Sequence, residues 1–138
     1  MDRRHLRRQK IVQQLFAYSY SDASASSKDR KLQLNVEDPD KRTLEIIDLF
    51  DTIDPLIEKY AQKYDISKIA RVDAAILRLG IFELMFDKKV PPKVIINEAV
   101  ELAKELGGEN SPSFVNAVLG KVYDEYENSE ASHKEHSK

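Results

Sequence analysis

The sequence predicts an all-α fold of about six helices packed as one domain. Apolar residues recur at spacings of three and four along most of the chain, as they do on one face of an amphipathic helix. The 138 residues include only 4 glycines, and 33% of them are charged. Alternating β-branched runs bounded by turn residues, which would predict strands, are hard to find. A chain of this length can bury a real core without disulfides or metals.

The first predicted helix covers residues 3–20, and its apolar stripe consists of Ile11, Val12, Leu15, Phe16 and Tyr18. Residues 21–41 then interrupt the pattern with a serine-rich stretch and the turn signal Asp38-Pro39-Asp40. We predict a loop over 21–41, and the sequence leaves open whether it is mobile or holds a short helix.

Four segments follow in the middle of the chain. A second helix is predicted over 42–51. A third is predicted over 54–64, because Asp54 and Pro55 match an N-cap followed by proline at the first helical position. Residues 66–70 predict a short helical turn. Residues 71–86 predict a central helix contacted from two sides, because its apolar stripe is unusually wide.

Two further helices are predicted at the C-terminal end. Pro91-Pro92 starts the first, and Gly107-Gly108 ends it, because glycine can adopt the left-handed cap conformation. Ser111-Pro112 starts the second, again as a cap followed by proline.

The apolar periodicity stops beyond Glu127. We therefore predict one ordered domain over 1–127 and a disordered tail over 128–138. No apolar run reaches membrane-spanning length, and the basic N-terminus is not followed by the apolar stretch of a signal peptide. The sequence thus predicts a cytoplasmic protein with no membrane partner.

The formal net charge of −2 hides a basic head, residues 1–10. This segment contains one acid, Asp2, and five basic residues, which are Arg3, Arg4, Arg7, Arg8 and Lys10. Like charges four residues apart destabilise a helix, and cations at its N-terminus oppose the macrodipole. Such violations are expected where function overrides stability. Arginine suits phosphate and can stack on bases, so the head favours nucleic acid over a merely solvated arm.

The sequence contains few candidate catalytic residues. The chain has 0 cysteines and 3 histidines. His5 lies in the basic head, whereas His133 and His136 lie in the predicted tail, so none neighbours a nucleophile on a core helix. There is no glycine-rich phosphate loop. We expect a protein that is not an enzyme and that uses no metal or cofactor.

Two aromatic residues favour single-stranded RNA as the ligand. Tyr60 and Phe114 lie near helix ends, where an exposed ring could stack on a base, although core packing is the commoner role of such rings. Asn97-Glu98 interrupts an otherwise apolar helix, and we interpret Asn97 as hydrogen-bonded to neighbouring backbone.

Four segments stand out in order along the chain. They are an arginine-rich opening at 4–16 (RHLRRQKIVQQLF), a core segment at 72–84 (VDAAILRLGIFEL), the stretch 90–104 (VPPKVIINEAVELAK) and a last segment at 111–119 (SPSFVNAVL). Together they resemble the NusB family of bacterial transcription antitermination factors, and 90–104 is the strongest match.

The resemblance implies an all-α fold of two small packed helical bundles. It also implies binding of single-stranded boxA RNA from ribosomal operons, together with a small-subunit ribosomal protein, NusE, in an antitermination complex on RNA polymerase. By position, the RNA contacts would include Arg4, His5 and Arg8 of the head and, outside it, Tyr60, Asn110 and Phe114. The ribosomal-protein face would include Phe16 and Asp73.

Two other functions remain open. One is a protein-interaction module of the transcription or ribosome-assembly machinery without direct RNA binding, which Asp73 and the apolar central helices favour. The other is an enzyme fragment, because the domain also resembles the N-terminal part of some RNA cytosine methyltransferases. The missing cysteine and cofactor-binding fold disfavour that function. The apolar stripes also leave a homodimer open.

Overall fold

The computed structural model describes residues 2–18, 36–62 and 65–136, with side chains up to Ser129. Most of the predicted 21–41 loop therefore lies outside the described residues. The described part contains six α-helices: α1 (Arg3–Tyr18), α2 (Lys41–Asp48), α3 (Phe50–Tyr60), α4 (Arg71–Phe82), α5 (Pro92–Leu106) and α6 (Ser111–His136). A 3-10 turn (Ile66–Lys68) lies before α4, at the position of the short helical turn that the sequence predicts. A π-helical turn (Glu83–Asp87) follows α4 directly.

Helix α4 forms the centre of the molecule. Every residue from Asp73 to Phe82 is buried, and the helix packs against α1, α3, α5 and α6. A Cβ atom on Gly80 would lie 2.8 Å from a methyl carbon of Leu119, so glycine at this position lets α6 approach closely. The prediction of a central helix contacted from two sides is confirmed.

The other helices form two groups that share α4. In the first group, α1 and α3 each pack against both α2 and α4; in the second, α5 and α6 pack against each other and against α4. The predicted all-α fold of two small packed bundles is confirmed. Because α1 lies on α4, the basic head is held beside the C-terminal end of α4 and beside α5.

The start of α3 differs from the prediction. The helix begins at Phe50, so Asp54 and Pro55 lie inside it instead of capping it. The Asp54 carboxylate accepts hydrogen bonds of 2.9 and 3.0 Å from Arg78 of α4, whose guanidinium lies 4.0 Å from the Phe50 ring centroid. Proline costs the helix one backbone hydrogen bond, and we attribute its tolerance to this pair and to the burial of Phe50, Ile53 and Ile57.

The end of α5 also differs in its geometry. Gly107 ends the helix with φ −96° and ψ −169°, which is extended and not the predicted left-handed conformation. Glycine is needed here for a different reason: a Cβ atom would lie 2.5 Å from the Ser111 hydroxyl oxygen. That hydroxyl accepts a 2.9 Å hydrogen bond from the Gly108 N–H and so fixes the connection to α6.

The backbone of α6 continues to His136, past the predicted domain boundary at Glu127. Residues 128–136 include two glutamates, one alanine and one lysine, which favour helix, but they supply no core-facing apolar stripe. Apolar periodicity alone therefore does not mark the end of the helix. No helix in the described segments has the length and apolar character that a membrane span requires.

Candidate nucleic-acid interface

The first turn of α1 exposes two arginines. Arg3 and Arg4 are both exposed, and neither guanidinium has a carboxylate partner within the described part of the chain. Asp2 precedes them and accepts a 3.0 Å hydrogen bond from the backbone N–H of Arg4. This carboxylate caps the helix and partly offsets the unfavourable placement of cations at its N-terminus. The two side chains remain available for an anion.

His5 is held between two carboxylates of α5. Its Nδ1 lies 2.7 Å from a Glu98 oxygen, and its Nε2 lies 2.8 Å from a Glu105 oxygen. Ionised carboxylates only accept hydrogen bonds, so this arrangement favours the imidazole that carries a proton on both ring nitrogens, which is the cationic form. The pKa of His5 is raised above 6.5, mainly by the hydrogen bond to Glu98 and next by the one to Glu105, although partial burial opposes the shift.

The second turn of α1 carries arginines that are already paired. Arg7 donates two 2.9 Å hydrogen bonds to Asp40, the N-cap residue of α2. Arg8 is buried and donates hydrogen bonds of 3.0 and 2.9 Å to Glu83 in the π-helical turn. Only 8% of the Arg8 side chain and 2% of the Glu83 side chain are exposed. These pairs fix α1 against two other parts of the chain, and Arg8 is left with little surface for a ligand.

The sequence did not identify Glu83, Glu98 and Glu105 as partners of the head. The polar pair Asn97-Glu98 in α5 is a usable signal, and Glu98 is its member that contacts the head. Asn97 is exposed, whereas Glu98 contacts His5 and lies 3.9 Å from Arg8. No group of three or more acidic or histidine side chains in the described part of the chain is arranged to hold a metal ion.

The structure does not bring the three predicted RNA contacts outside the head into one cluster. Tyr60, at the end of α3, donates its hydroxyl hydrogen to Glu125 of α6, and the Lys59 ammonium lies 5.2 Å from its ring centroid. Phe114 is half-buried in the first turn of α6, and Asn110 is exposed just before that helix. Phe114 and Glu125 are separated by about 16 Å along the helix axis.

The other end of α1 borders an apolar groove. A cavity of about 360 Å³ is lined by Val12, Gln13, Phe16, Val72 and Leu106. Asp73 follows Val72 at the start of α4, and its Oδ1 is buried without a hydrogen-bond partner among the described residues. An unpaired buried acceptor is costly to the folded state. Of the two predicted protein-partner residues, Phe16 lines the groove, and Asp73 follows the lining residue Val72 in sequence.

Known proteins resemble this chain over most of its length. A transcription antitermination protein NusB from Campylobacter curvus is 38% identical over 126 residues, which cover 86% of this chain and 95% of the relative. A NusB from Nitratiruptor sp. is 43% identical over 82 residues, and the match spans 59% of this chain and 58% of that protein. The chain thus spans less than two thirds of some of the curated relatives it matches.

Solved structures show the same fold. Thermotoga maritima NusB matches with a TM-score of 0.68 at 30% identity, covering 90% of this chain and 92% of the other. A chain in a crystal structure of a plectonemic RNA supercoil matches with a TM-score of 0.63 at 25% identity, covering 89% and 96% of the two chains. The model of the NusB family matches residues 5–124. This chain therefore belongs to the NusB family of transcription antitermination proteins.

Proposed function

We propose that this protein binds single-stranded boxA-type RNA of ribosomal operons through the basic head. The observation that carries the proposal is the first turn of α1, where Arg3 and Arg4 extend into solvent without carboxylate partners in the described chain. Guanidinium groups bind phosphate bidentately, and phosphate contacts supply most of the affinity for nucleic acid.

The remaining residues of the head have different roles in this proposal. Arg7 keeps 49% of its side chain exposed, although Asp40 partly offsets its charge, so we assign it a weaker phosphate contact. His5 and Arg8 hold the helix against α5 and the π-helical turn and so orient the first turn. Tyr60, Asn110 and Phe114 would contact bases farther along the RNA, since stacking and base-edge contacts specify sequence in single-stranded RNA.

We propose that a small-subunit ribosomal protein, NusE, binds the groove beside Phe16. A partner side chain would fill the apolar cavity, whose lining includes Phe16 and Val72, the residue before Asp73. The two ligands would meet the same helix at its opposite ends. The bound ribosomal protein would add contact surface for the RNA and so tighten RNA binding by linkage. The protein acts as a scaffold in the antitermination complex on RNA polymerase, and no covalent chemistry is required.

The test is a titration of boxA-type RNA and of a scrambled RNA of equal length, at several salt concentrations, with and without the ribosomal protein. We expect preference for boxA, a steep salt dependence, and tighter binding when the ribosomal protein is present. Equal affinity for both RNAs under all of these conditions would refute the proposal.

One observation favours the alternative, a protein-interaction module without direct RNA binding. Arg7, Arg8 and Lys10 of the head are paired with carboxylates of the chain itself. The discriminating variant is Arg3→Ala with Arg4→Ala, because deletion of residues 1–10 would also remove the buried Arg8. Unchanged RNA retention by the ribosomal-protein complex of this variant would favour the alternative.

A further inference from the structure

An exposed phenylalanine lies on the turn that follows α4. Phe86 is 42% exposed, although it is a large apolar residue. Its ring stacks on the Phe82 ring with centroids 6.2 Å apart and planes inclined by 28°. One face of Phe86 is therefore supported from within the protein, while the side chain remains open to solvent.

The local backbone holds this ring in place. Residues Glu83–Asp87 form a π-helical turn, which is closed by a 3.0 Å hydrogen bond from the Lys88 N–H to the Glu83 carbonyl. Lys88 ends the turn in the left-handed region with φ 56°. Single π-turns and left-handed non-glycine residues are uncommon and occur often at functional sites.

Charged groups fix the supporting ring and the turn. The Arg42 guanidinium lies 5.6 Å from the Phe82 ring centroid. It also donates hydrogen bonds of 3.3 Å to Glu83 and 3.1 Å to Asp87. Phe82 thereby contacts both Arg42 and Phe86, and Asp87, which follows Phe86, is bonded to α2.

The same turn is joined directly to the basic head. Glu83 accepts hydrogen bonds from Arg8 of α1 as well as from Arg42. Arg7 donates to Asp40 at the N-cap of α2, and Arg42 in the first turn of α2 donates to Asp87. The second turn of α1 and the turn that carries Phe86 therefore meet the same end of α2.

We propose that Phe86 is a stacking platform for an unpaired base of the RNA whose phosphates lie on the basic head. This inference rests on the proposed RNA binding and adds a base contact that none of the predicted site residues supplies. Aromatic rings beside cationic grooves are the usual means by which proteins hold single-stranded nucleic acid.

The surroundings of Phe86 favour a base over a protein partner. Its neighbours in sequence are Asp87, Lys88 and Lys89, of which both lysines are exposed. The centres of protein–protein interfaces are depleted in lysine and aspartate. An exposed aromatic ring followed in sequence by two exposed lysines matches a nucleotide, which offers a flat base next to a negative phosphate.

The test compares Phe86→Ala with a control, Val94→Ala, in titrations of boxA-type RNA. Val94 is 43% exposed on α5 and so matches the exposure of Phe86. We expect about a tenfold loss of RNA affinity for Phe86→Ala, with an unchanged slope of affinity against salt, and no loss for Val94→Ala. Thermal unfolding of both variants serves as the control that they are folded.

A second variant gives a direct readout. The chain contains 0 tryptophans, so Phe86→Trp places a single fluorescent reporter at the site. We expect RNA to quench its emission and inorganic polyphosphate to leave it unchanged, because only RNA offers a base. An abasic nucleotide at the stacked position should abolish both the quenching and the effect of Phe86→Ala.

Three outcomes would overturn the inference. Wild-type RNA affinity of Phe86→Ala would remove the stacking role and leave the proposed function standing. Loss of ribosomal-protein binding alone would make Phe86 a protein contact. Failure of the wild-type protein to bind any RNA would refute the proposed function, and the stacking role would fail with it.

Discussion

The first and second turns of α1 are both rich in arginine, but their side chains have different surroundings. Arg3 and Arg4 in the first turn are exposed and have no carboxylate partner in the described chain. Arg7 and Arg8 in the second turn donate to Asp40 and Glu83. The charge count of the sequence does not distinguish these four arginines from one another. The difference shows that part of the basic head is structural and that only part is available to an anion.

This comparison makes the second turn the anchor of the first. A helix with cations at its N-terminus is intrinsically poor, and isolated short helices are marginal in water. The ion pairs of Arg7 and Arg8, together with His5 between Glu98 and Glu105, hold the helix in place. The exposed arginines are then presented on a fixed support, which would reduce the entropy lost in the proposed binding of RNA.

The largest effect is expected when the anchor is broken. Arg8→Met would leave the Glu83 carboxylate buried without its main partner, so we expect a loss of about 3–5 kcal/mol in the free energy of unfolding. Arg42 would offset a part of it. Urea titration measures the loss. Arg4→Met is the matched control and should change stability by less than about 0.5 kcal/mol. Equal losses in the two variants would show that the turns do not differ as described.

The double variant Arg8→Met with Glu83→Leu sharpens the same comparison. It removes the buried carboxylate together with its partner, and buried pairs replaced by apolar residues are often neutral in stability. We expect it to recover most of the stability lost by Arg8→Met alone. If the double variant is as unstable as the single one, the loss comes from packing and not from the unpaired charge.

The next largest effect is expected at the other end of α1. Phe16→Ala would remove a wall of the apolar groove and should weaken binding of the ribosomal protein by about 2 kcal/mol, the usual cost of losing a central interface aromatic. Binding of RNA by the protein alone should not change. Calorimetric titration with each ligand separately checks this division, and a parallel loss of RNA affinity would contradict it.

A smaller effect is expected from His5 and depends on pH. Its pKa is raised in the folded state, so its contribution to stability is fully present below pH 6.5 and is lost as pH rises through the folded-state pKa. The carboxyl of Glu105 has a lowered pKa, through its hydrogen bonds to His5 and then Gln9, so its contribution is lost at acid pH. The difference in unfolding free energy between wild type and His5→Gln should be largest near pH 6 and shrink by pH 9. A pH-independent difference would contradict the ionic bridge.

Much of the fold could be predicted because it depends on short-range periodicity. The wide apolar face of α4 was sufficient to identify it as the central helix, and Pro92 and Ser111 correctly indicate where α5 and α6 begin. The prediction of a helix N-terminus at Asp54-Pro55 is wrong because the Asp54 carboxylate, instead of capping a helix, pairs with Arg78, which lies 24 residues away in sequence. Caps are local signals, whereas the pair depends on tertiary structure.

The candidate site was predicted less completely for the same reason. The basic residues of the head are evident from the sequence, but Glu83, the partner of Arg8, lies 75 residues away, and Glu98 and Glu105, the partners of His5, lie 93 and 100 residues away. Nothing in the local pattern says which arginine is paired. The exposure of Phe86 is equally hidden, because it results from a π-helical turn that continues an apolar helix.

The salt dependence of boxA-type RNA binding tests the difference between the two turns most directly. The Arg3→Gln, Arg4→Gln double variant is compared with Arg7→Gln and with wild type, each titrated at four or more salt concentrations. We expect the double variant to lower the slope of log affinity against log salt by about 1.4, which corresponds to about 0.7 for each lost phosphate contact on single-stranded RNA. Arg7→Gln should lower it by clearly less than about 0.7. An unchanged slope for the double variant, or an equal loss per arginine in both variants, would contradict the division of α1 into a free first turn and an anchoring second turn.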